Sequence, residues 1–534
     1  MNDYKEIISG AKLGQIVPIV KRIDIDDPVE FFSKISDYGR AKNCCLLESR
    51  EYLADSGALS FGTSRPALYL TGSGSDFTIK ALSRTGRAMV EYLAENCKDR
   101  FAFCQSVKFG PDSITGTIKP VEGPMDEQSR LKSTNQMDVI RAVAFAFELA
   151  SKPFRVTCGL LGAISYDFVD QFEKLPKSKS DILENPDYEL YFADNIFIMD
   201  HQAGAGYVVV NVIITSENRD AIIARAQETF DYYYNMARFE APVSGAKHQH
   251  LPQPSTDTDK AEYERMVGIA KRHILDGDIF QVVLSRTIVE PCPDEPLDVY
   301  KRLRKLNPSP YMFYINTPAT TLIGSSPELN VRVSGKNERT VEIRPIAGTK
   351  PRGRINGQVD PETDFRYEAE LKLDRKELAE HMMLVDLARN DIARVSKPGS
   401  RVVNELLTVE KYASVQHLVS NVKGVLRPDL DALSVYLASM NMGTLTGAPK
   451  IEAMKIIREL ETNKRGYYGG AVMYLTVDGN FDSCITIRSL QVRDRLAYVR
   501  AGAGIVHDSV ASVEYEETQA KANSCIRAIR GQEY

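Results

Sequence analysis

The sequence predicts an α+β protein in which large antiparallel β-sheets are flanked by helices. Three observations carry this. Strand-like and helical stretches are interspersed without the regular alternation of a doubly wound sheet. β-branched runs recur, as in Tyr207–Ile214, Phe280–Leu284 and Thr340–Ile346, and such residues fit a pleated, half-buried surface. The chain has 534 residues, too many for one hydrophobic core, so two domains are expected.

Taken in order, Met137–Leu149 reads as a helix and Tyr207–Ile214 as a strand. The clearest break is Phe239–Asp259, rich in Pro, Ser, Thr and Asp and without an apolar period. It reads as a linker or long loop, which divides the chain into an N-terminal domain over 1–238 and a second domain over 260–534. A helix then starts at an Asp257 or Asp259 cap. Tyr263, Met266, Val267, Ala270 and Ile274 recur along it at helical spacing, and Gly277 follows as a stop signal,. Two carboxylate-bearing helices come later, Glu362–Arg394 and Val513–Arg530. In the first, Glu377, Glu380 and His381 fall on neighbouring faces, with Leu378, Met382 and Val385 as the buried stripe. The glycine-rich pieces TGSGSD (Thr71–Asp76) and AGAGIV (Ala501–Val506) complete neither GxGxxG nor a P-loop,. The first reads as a surface turn.

Composition excludes several classes. A net charge of −5 gives no basic field for nucleic acid and no polybasic stretch for a membrane,. No apolar run is long enough to span a bilayer. The start, MNDYKEIISG, lacks a signal-peptide core, so a cytoplasmic protein is expected. Eight cysteines form no CxxC pair and read as buried free thiols,. Among seven histidines the only HxH is His248 and His250, in a polar, proline-rich stretch that reads as a solvated loop,. A histidine-ligated metal is not indicated.

The acids at the start of Val513–Arg530, Glu514 and Glu517, have two readings. They can complement the helix dipole, or they can join carboxylates of the other helix around a hard divalent cation such as Mg²⁺. Sequence physics leaves both open.

Ten segments in order resemble one family. They are LLESRE (Leu46–Glu51), NPSPYMFY (Asn307–Tyr314), GSSPE (Gly324–Glu328), RPIAGTKPRGR (Arg344–Arg354) and ELAEHMMLVDLARNDIARV (Glu377–Val395). QHLVSNVKG (Gln416–Gly424), MNMGTLTGAPK (Met440–Lys450), RGYYGGAV (Arg465–Val472), CITIRS (Cys484–Ser489) and AGAGIVHDS (Ala501–Ser509) follow. Together they resemble the anthranilate synthase large subunits, members of the chorismate-utilising enzymes. The resemblance implies that family's fold, with its large antiparallel sheets and flanking helices. It implies that Glu380 and Glu517 ligate Mg²⁺, which holds the ring carboxylate of chorismate. Tyr468 and Arg488 are then the partners of the enolpyruvyl carboxylate, with Gly348, Thr349, Ala503, Gly504 and Thr444 around the same cavity. Glu328 is implied as the general acid at the C4 hydroxyl, and His417 as the proton carrier of the second step. That chemistry adds ammonia at C2 and then expels pyruvate, leaving anthranilate.

Two positions separate the siblings. Ala347 stands where aminodeoxychorismate synthases carry Lys, and Gln281 stands where isochorismate and salicylate synthases carry Lys. An aminodeoxyisochorismate synthase lacking the lyase step is one alternative. A non-catalytic tryptophan-binding regulator is another. The resemblance also implies a feedback site for L-tryptophan. In it Glu48 and Ser49 hold the amino group, and Asn307, Pro310, Tyr311, Met312, Phe313 and Cys484 complete the pocket. The chain has no GxCxG glutaminase motif,, so a separate glutamine amidotransferase subunit is expected to supply ammonia. The chain also contains no tryptophan.

Overall fold

The computed structural model describes residues 2–49, 59–119, 131–216, 218–245, 252–355, 357–412 and 415–532. His248 and His250 lie outside the described residues.

Two thirteen-stranded sheets, antiparallel almost throughout, form the centre. They face each other across a shared core. Phe61, Ile196, Val209, Phe313 and Leu322 of the first sheet meet Leu161, Ala163, Tyr191, Val472 and Cys484 of the second. The outer face of the first sheet is covered by the helices Pro28–Ile35, Arg219–Arg238, Pro296–Leu306 and Ala511–Arg530. Arg84–Asn96, Met137–Ala144, Arg375–Val395 and Ala432–Ser439 cover the second. The order of layers is helix, sheet, sheet, helix, which buries both faces of each sheet and one stripe of the covering helices,. No helix among the described residues is long and apolar enough to cross a membrane.

The seam at 239–259 divides the sequence but not the sheets. Strand Cys44–Glu48 pairs with Tyr311–Asn316, with Glu48 opposite Met312 and Leu47 opposite Phe313. Strand Gly159–Ile164 pairs with Ala471–Thr476 in the other sheet. Within the seam, Ser255–Thr256 adds an edge strand, and Asp259 caps the helix Lys260–Leu275 by accepting from Glu262 N at 2.9 Å. Tyr263, Met266, Val267 and Ala270 are buried along that helix. Thr71–Asp76 closes the hairpin of strands Leu68–Ser73 and Asp76–Ala81, the turn itself being Gly74 and Ser75, with Gly74 at a positive φ of 56°. The stretch Met137–Leu149 is helical only to Ala144, and Glu148–Leu149 pairs instead as a short strand.

One expected helix is two. Pro361–Leu373 ends at Asp374, and Arg375–Val395 begins there. The Asp374 side chain accepts from the backbone N–H groups of Lys376 and Glu377, satisfying donors that a new helix start leaves free,. The buried stripe is also rephased: His381, Leu384, Val385, Ala388 and Ile392 are buried, whereas Met382 is 43% exposed. Asp374→Ala should lower stability by about 1 kcal/mol, read as a drop in denaturant midpoint at unchanged m-value.

Candidate active site

The site is built where both sheets end beneath the helices Arg375–Val395 and Ala511–Arg530. Its floor is the pairing of strands Gln281–Pro291 and Leu496–Ile505, with Val283 opposite Gly504 and Ser285 opposite Gly502. Glycine is needed at Gly502, where backbone crowds the position, and at Gly504 it leaves room for the Gln281 side chain. A Cβ on Gly504 would sit 2.7 Å from Gln281 Nε2, and one on Gly502 would sit 2.7 Å from Leu284 O and 3.1 Å from the Tyr468 hydroxyl. Ala503, between them, is fully buried opposite Leu284 and offers the cleft no side chain of its own reach. Gln281 is 8% exposed, and its Oε1 has no hydrogen-bond partner among the described residues.

Arg488 is the electrostatic centre. It follows strand Phe481–Ile485 and sits at a φ of +48°, a conformation that costs a non-glycine residue free energy and concentrates at working sites,. Its guanidinium makes no hydrogen bond or ion pair with any described residue. Burial pushes its pKa down, against the pull of Tyr468, Cys525, Glu517 and Glu328. A half-buried cation drawn away from water without a carboxylate partner is costly,. Its partner is therefore sought outside the chain. Burial raises the Tyr468 phenol, so the hydroxyl stays protonated and able to donate.

Glu328 is 5% exposed, and burial pushes its carboxyl up to about 8 against the pull of Thr444, Arg488 and Lys521. Its Oε1 and the Thr444 hydroxyl both lack hydrogen-bond partners among the described residues. At neutral pH it is therefore a carboxylic acid holding a proton to give. His417 lies opposite Thr349 in the register of Ile346–Pro351 and Val415–Val425. Its Nδ1 is 3.0 Å from Thr349 Oγ1 and 3.2 Å from Gly348 O. A carbonyl can only accept, so Nδ1 carries the hydrogen and Nε2 is left with its lone pair. Burial, with a smaller push from Arg488, lowers the His417 pKa and keeps the ring neutral. Gly348 has a φ of +74°, and a Cβ there would lie 3.0 Å from Glu377 Oε2.

Four carboxylates gather between the two helices: Glu377 and Glu380 from one, Glu514 and Glu517 from the other. Burial first, then the other three carboxylates, raises Glu380 against the pull of Lys376. Burial and Glu517 also raise Glu514. Among the described residues no three acidic or imidazole groups close on a common point. Such mutual repulsion across two helices fits a divalent cation that takes one or two protein carboxylates and fills its shell with water and substrate oxygens. His381, by contrast, is buried and hydrogen-bonded to Ser420 Oγ at 2.6 Å, a structural contact.

Sequence reading missed Lys521. Its ammonium pairs with Glu517 Oε1 at 2.5 Å, donates to Gly502 O at 3.1 Å and acts on Glu328. The signal was the i,i+4 spacing of Glu517 and Lys521 on one helix face.

A second cavity, about 730 Å³ of empty space including its open mouth, lies between the sheets. Leu47, Ser49, Pro310, Tyr311, Phe313 and Cys484 line it, bringing together the segments expected to form the regulatory pocket. Two of the expected residues face elsewhere. The Glu48 carboxylate lies on the opposite face of the sheet, bonded to the Tyr300 hydroxyl and to Arg304 Nη2 at 2.9 Å. Met312, its strand partner, packs in that same outer core with Leu46 and Tyr314. Strand alternation puts both side chains away from the cavity, which they border through backbone. Asn307 is not at the cavity; its amide donates to Ser325 O at 3.3 Å, and its carbonyl accepts from the Ser325 hydroxyl. The charged groups at the cavity are Arg155, Arg332 and Asp482, with both guanidiniums 2.9 Å from Asp482 Oδ2.

Residues 91–527 match the family model of the chorismate binding enzymes. Anthranilate synthase component 1 of Vibrio cholerae is 41% identical over 505 residues, covering 94% of each chain. That of Escherichia coli is 40% identical over 508 residues, covering 94% of this chain and 95% of its own. Among solved structures, anthranilate synthase component I from Streptococcus pneumoniae superposes with a TM-score of 0.68 at 29% identity, over 89% of this chain and 94% of that one. The menaquinone-specific isochorismate synthase of Escherichia coli shares the fold, with a TM-score of 0.62 at 15% identity over 99% and 98%.

Proposed function

The chain belongs to the chorismate-binding enzymes, as an anthranilate synthase component 1, and from that membership we propose how its site makes anthranilate. The unpaired Arg488 beside a protonated Glu328 carries the reading. Arg488 and the Tyr468 hydroxyl receive the enolpyruvyl carboxylate of chorismate, the guanidinium fork matching a planar carboxylate. Glu380 and Glu517 would hold Mg²⁺, which when bound neutralises the carboxylate cluster and fixes the ring carboxylate.

In the first step the C2–N bond to ammonia forms, the ring double bonds shift, and the C4–O bond breaks. Glu328 gives its proton to the departing hydroxyl, which leaves as water. The new ammonium at C2 sheds one proton to give 2-amino-2-deoxyisochorismate. In the second step His417 Nε2 takes the C2 proton while the C3–O bond breaks, and enolpyruvate leaves and ketonises to pyruvate. Ala347 and Gln281 stand at the two positions where sibling enzymes carry a lysine, so neither position supplies an amine nucleophile or a base for water.

Component 1 has a partner component; we read it as a glutamine amidotransferase supplying the ammonia. The reaction would be the first committed step of tryptophan synthesis, carried out in the cytoplasm. The cavity at Ser49 is read as the L-tryptophan site. Tyr311 pairs with Ser326, two residues from Glu328, and Cys484 lies four residues before Arg488. Two strands thus run from the cavity into the cleft, a route by which inhibitor and chorismate can favour different conformations. Ser49→Phe should raise the tryptophan concentration for half-inhibition at least tenfold; undiminished inhibition would remove the assignment.

Purified chain with chorismate, Mg²⁺ and ammonium should give anthranilate fluorescence that EDTA abolishes and L-tryptophan suppresses. Chorismate consumption with accumulating 2-amino-2-deoxyisochorismate would instead identify a synthase lacking the lyase step. No turnover, even with the amidotransferase present, would leave a tryptophan-binding regulator.

A further inference from the structure

Behind Tyr468 lie three charged side chains that no role above uses. Arg465, Glu461 and Arg500 are 2%, 3% and 7% exposed. Glu461 accepts from Arg465 Nη2 at 2.6 Å and Nε at 3.0 Å, and from Arg500 Nη2 at 2.6 Å. Ser285 joins them, donating to Glu461 Oε1 at 2.8 Å and accepting from Arg500 Nε at 2.8 Å.

The remaining donors reach the pieces that make the substrate cleft. Arg465 Nη1 donates to Leu445 O at 2.6 Å, next to Thr444, and Nη2 donates to Val283 O at 2.7 Å, opposite Gly504. Arg500 precedes Gly502 by two residues, and Arg465 precedes Tyr468 by three. Both guanidinium carbons lie near the Tyr468 ring, 5.9 and 6.0 Å from its centroid, within reach of a cation–π attraction,.

Two cations on one carboxylate leave a surplus positive charge in the interior. A buried ionic cluster is a poor device for stability, because apolar residues of similar volume do as well or better. Its placement suggests a different use.

We propose that Arg465, Glu461 and Arg500 form a positioning cluster that sets the Tyr468 ring and presents its surplus positive charge toward the substrate carboxylate. The proposal rests on the reading that Tyr468 meets that carboxylate. The cluster acts through Tyr468 and touches no reacting atom.

Arg500→Lys keeps the charge and loses the fork. It should raise the chorismate KM about tenfold with kcat within about threefold and the ammonium KM unmoved. Arg500→Met also removes the charge, leaving Glu461 neutralised by Arg465, and should raise the chorismate KM further. In a Tyr468→Phe background the Arg500→Lys step should change KM by less than about twofold, since residues acting as one unit are not additive. A lowered melting temperature with unchanged chorismate KM in both Arg500 variants would reduce the cluster to a structural brace and overturn the proposal. Full additivity with Tyr468→Phe would overturn it as well. If Tyr468→Phe alone leaves KM unchanged, the reading of Tyr468 itself falls, and the proposal with it; a raised KM there with an unmoved Arg500 series overturns the proposal alone.

Discussion

Glu328→Gln should cut kcat for anthranilate formation by about 10²- to 10⁴-fold, the range for losing a positioned general acid, with little change in chorismate KM. The amide keeps the shape of the side chain and cannot supply a proton. The wild-type profile carries the same signature. Burial pushes this carboxyl up to about 8, so the acid form is present below that pH. Rate per unit of free ammonia should be flat to about pH 8 and fall as pH rises through it. Total ammonium rate hides this, because free ammonia increases over the same range, so rates must be divided by its concentration. Stability gives an independent check. The folded pKa is raised, so between the ordinary carboxylate value and about 8 the folded state holds a proton that the unfolded state has released, and stability falls with rising pH. Glu328→Gln removes that slope. A variant that loses activity while keeping the slope would put the perturbed group elsewhere.

Arg488→Met should raise the chorismate KM by about 100-fold or more, in keeping with the 2–5 kcal/mol lost when one partner of a buried charge pair is removed. The free protein should melt no lower, because no described residue pairs with this guanidinium and its desolvation is uncompensated until substrate arrives,. Methionine keeps the apolar length and tolerates the +48° φ no worse than arginine does,. Raised KM with equal or higher melting temperature separates a binding residue from a structural one. A large loss of stability would show that the protein itself supplies the missing partner.

Much of the site could be read from the sequence because it rests on short motifs whose residues face one cleft. Glu328, Thr444, Tyr468, Arg488 and Gly504 come from five separate segments, and what pointed to each was the resemblance of its motif to one family rather than any local spacing. What failed was sidedness. In LLES the period of two puts Glu48 and Ser49 on opposite faces, and which face is inward depends on pairing with Tyr311–Asn316, far away in sequence. The same holds for Met312. The helix break was legible in retrospect: Asp374 followed three residues later by Glu377 is a capping signature, with no Gly or Pro to mark it,. The stripe was phased on Met382 because an unbroken helix was assumed through that point. The mixing of strands across the 239–259 seam had no local trace, since long-range pairing leaves no spacing to read.

That mixing matters while the chain is being made. Glu48 pairs with Met312 and Ile164 pairs with Ala471. At bacterial or eukaryotic elongation rates, the N-terminal strand of each pair waits roughly 10–60 s for its partner to leave the ribosome. During that interval Cys44–Glu48 and Gly159–Ile164 are the open edges of two half-built sheets, flat apolar templates on which neighbouring nascent chains could dock. A chaperone that shields these edges, or slow ribosome spacing on the message, should therefore govern yield of soluble protein more than the stability of the finished fold does.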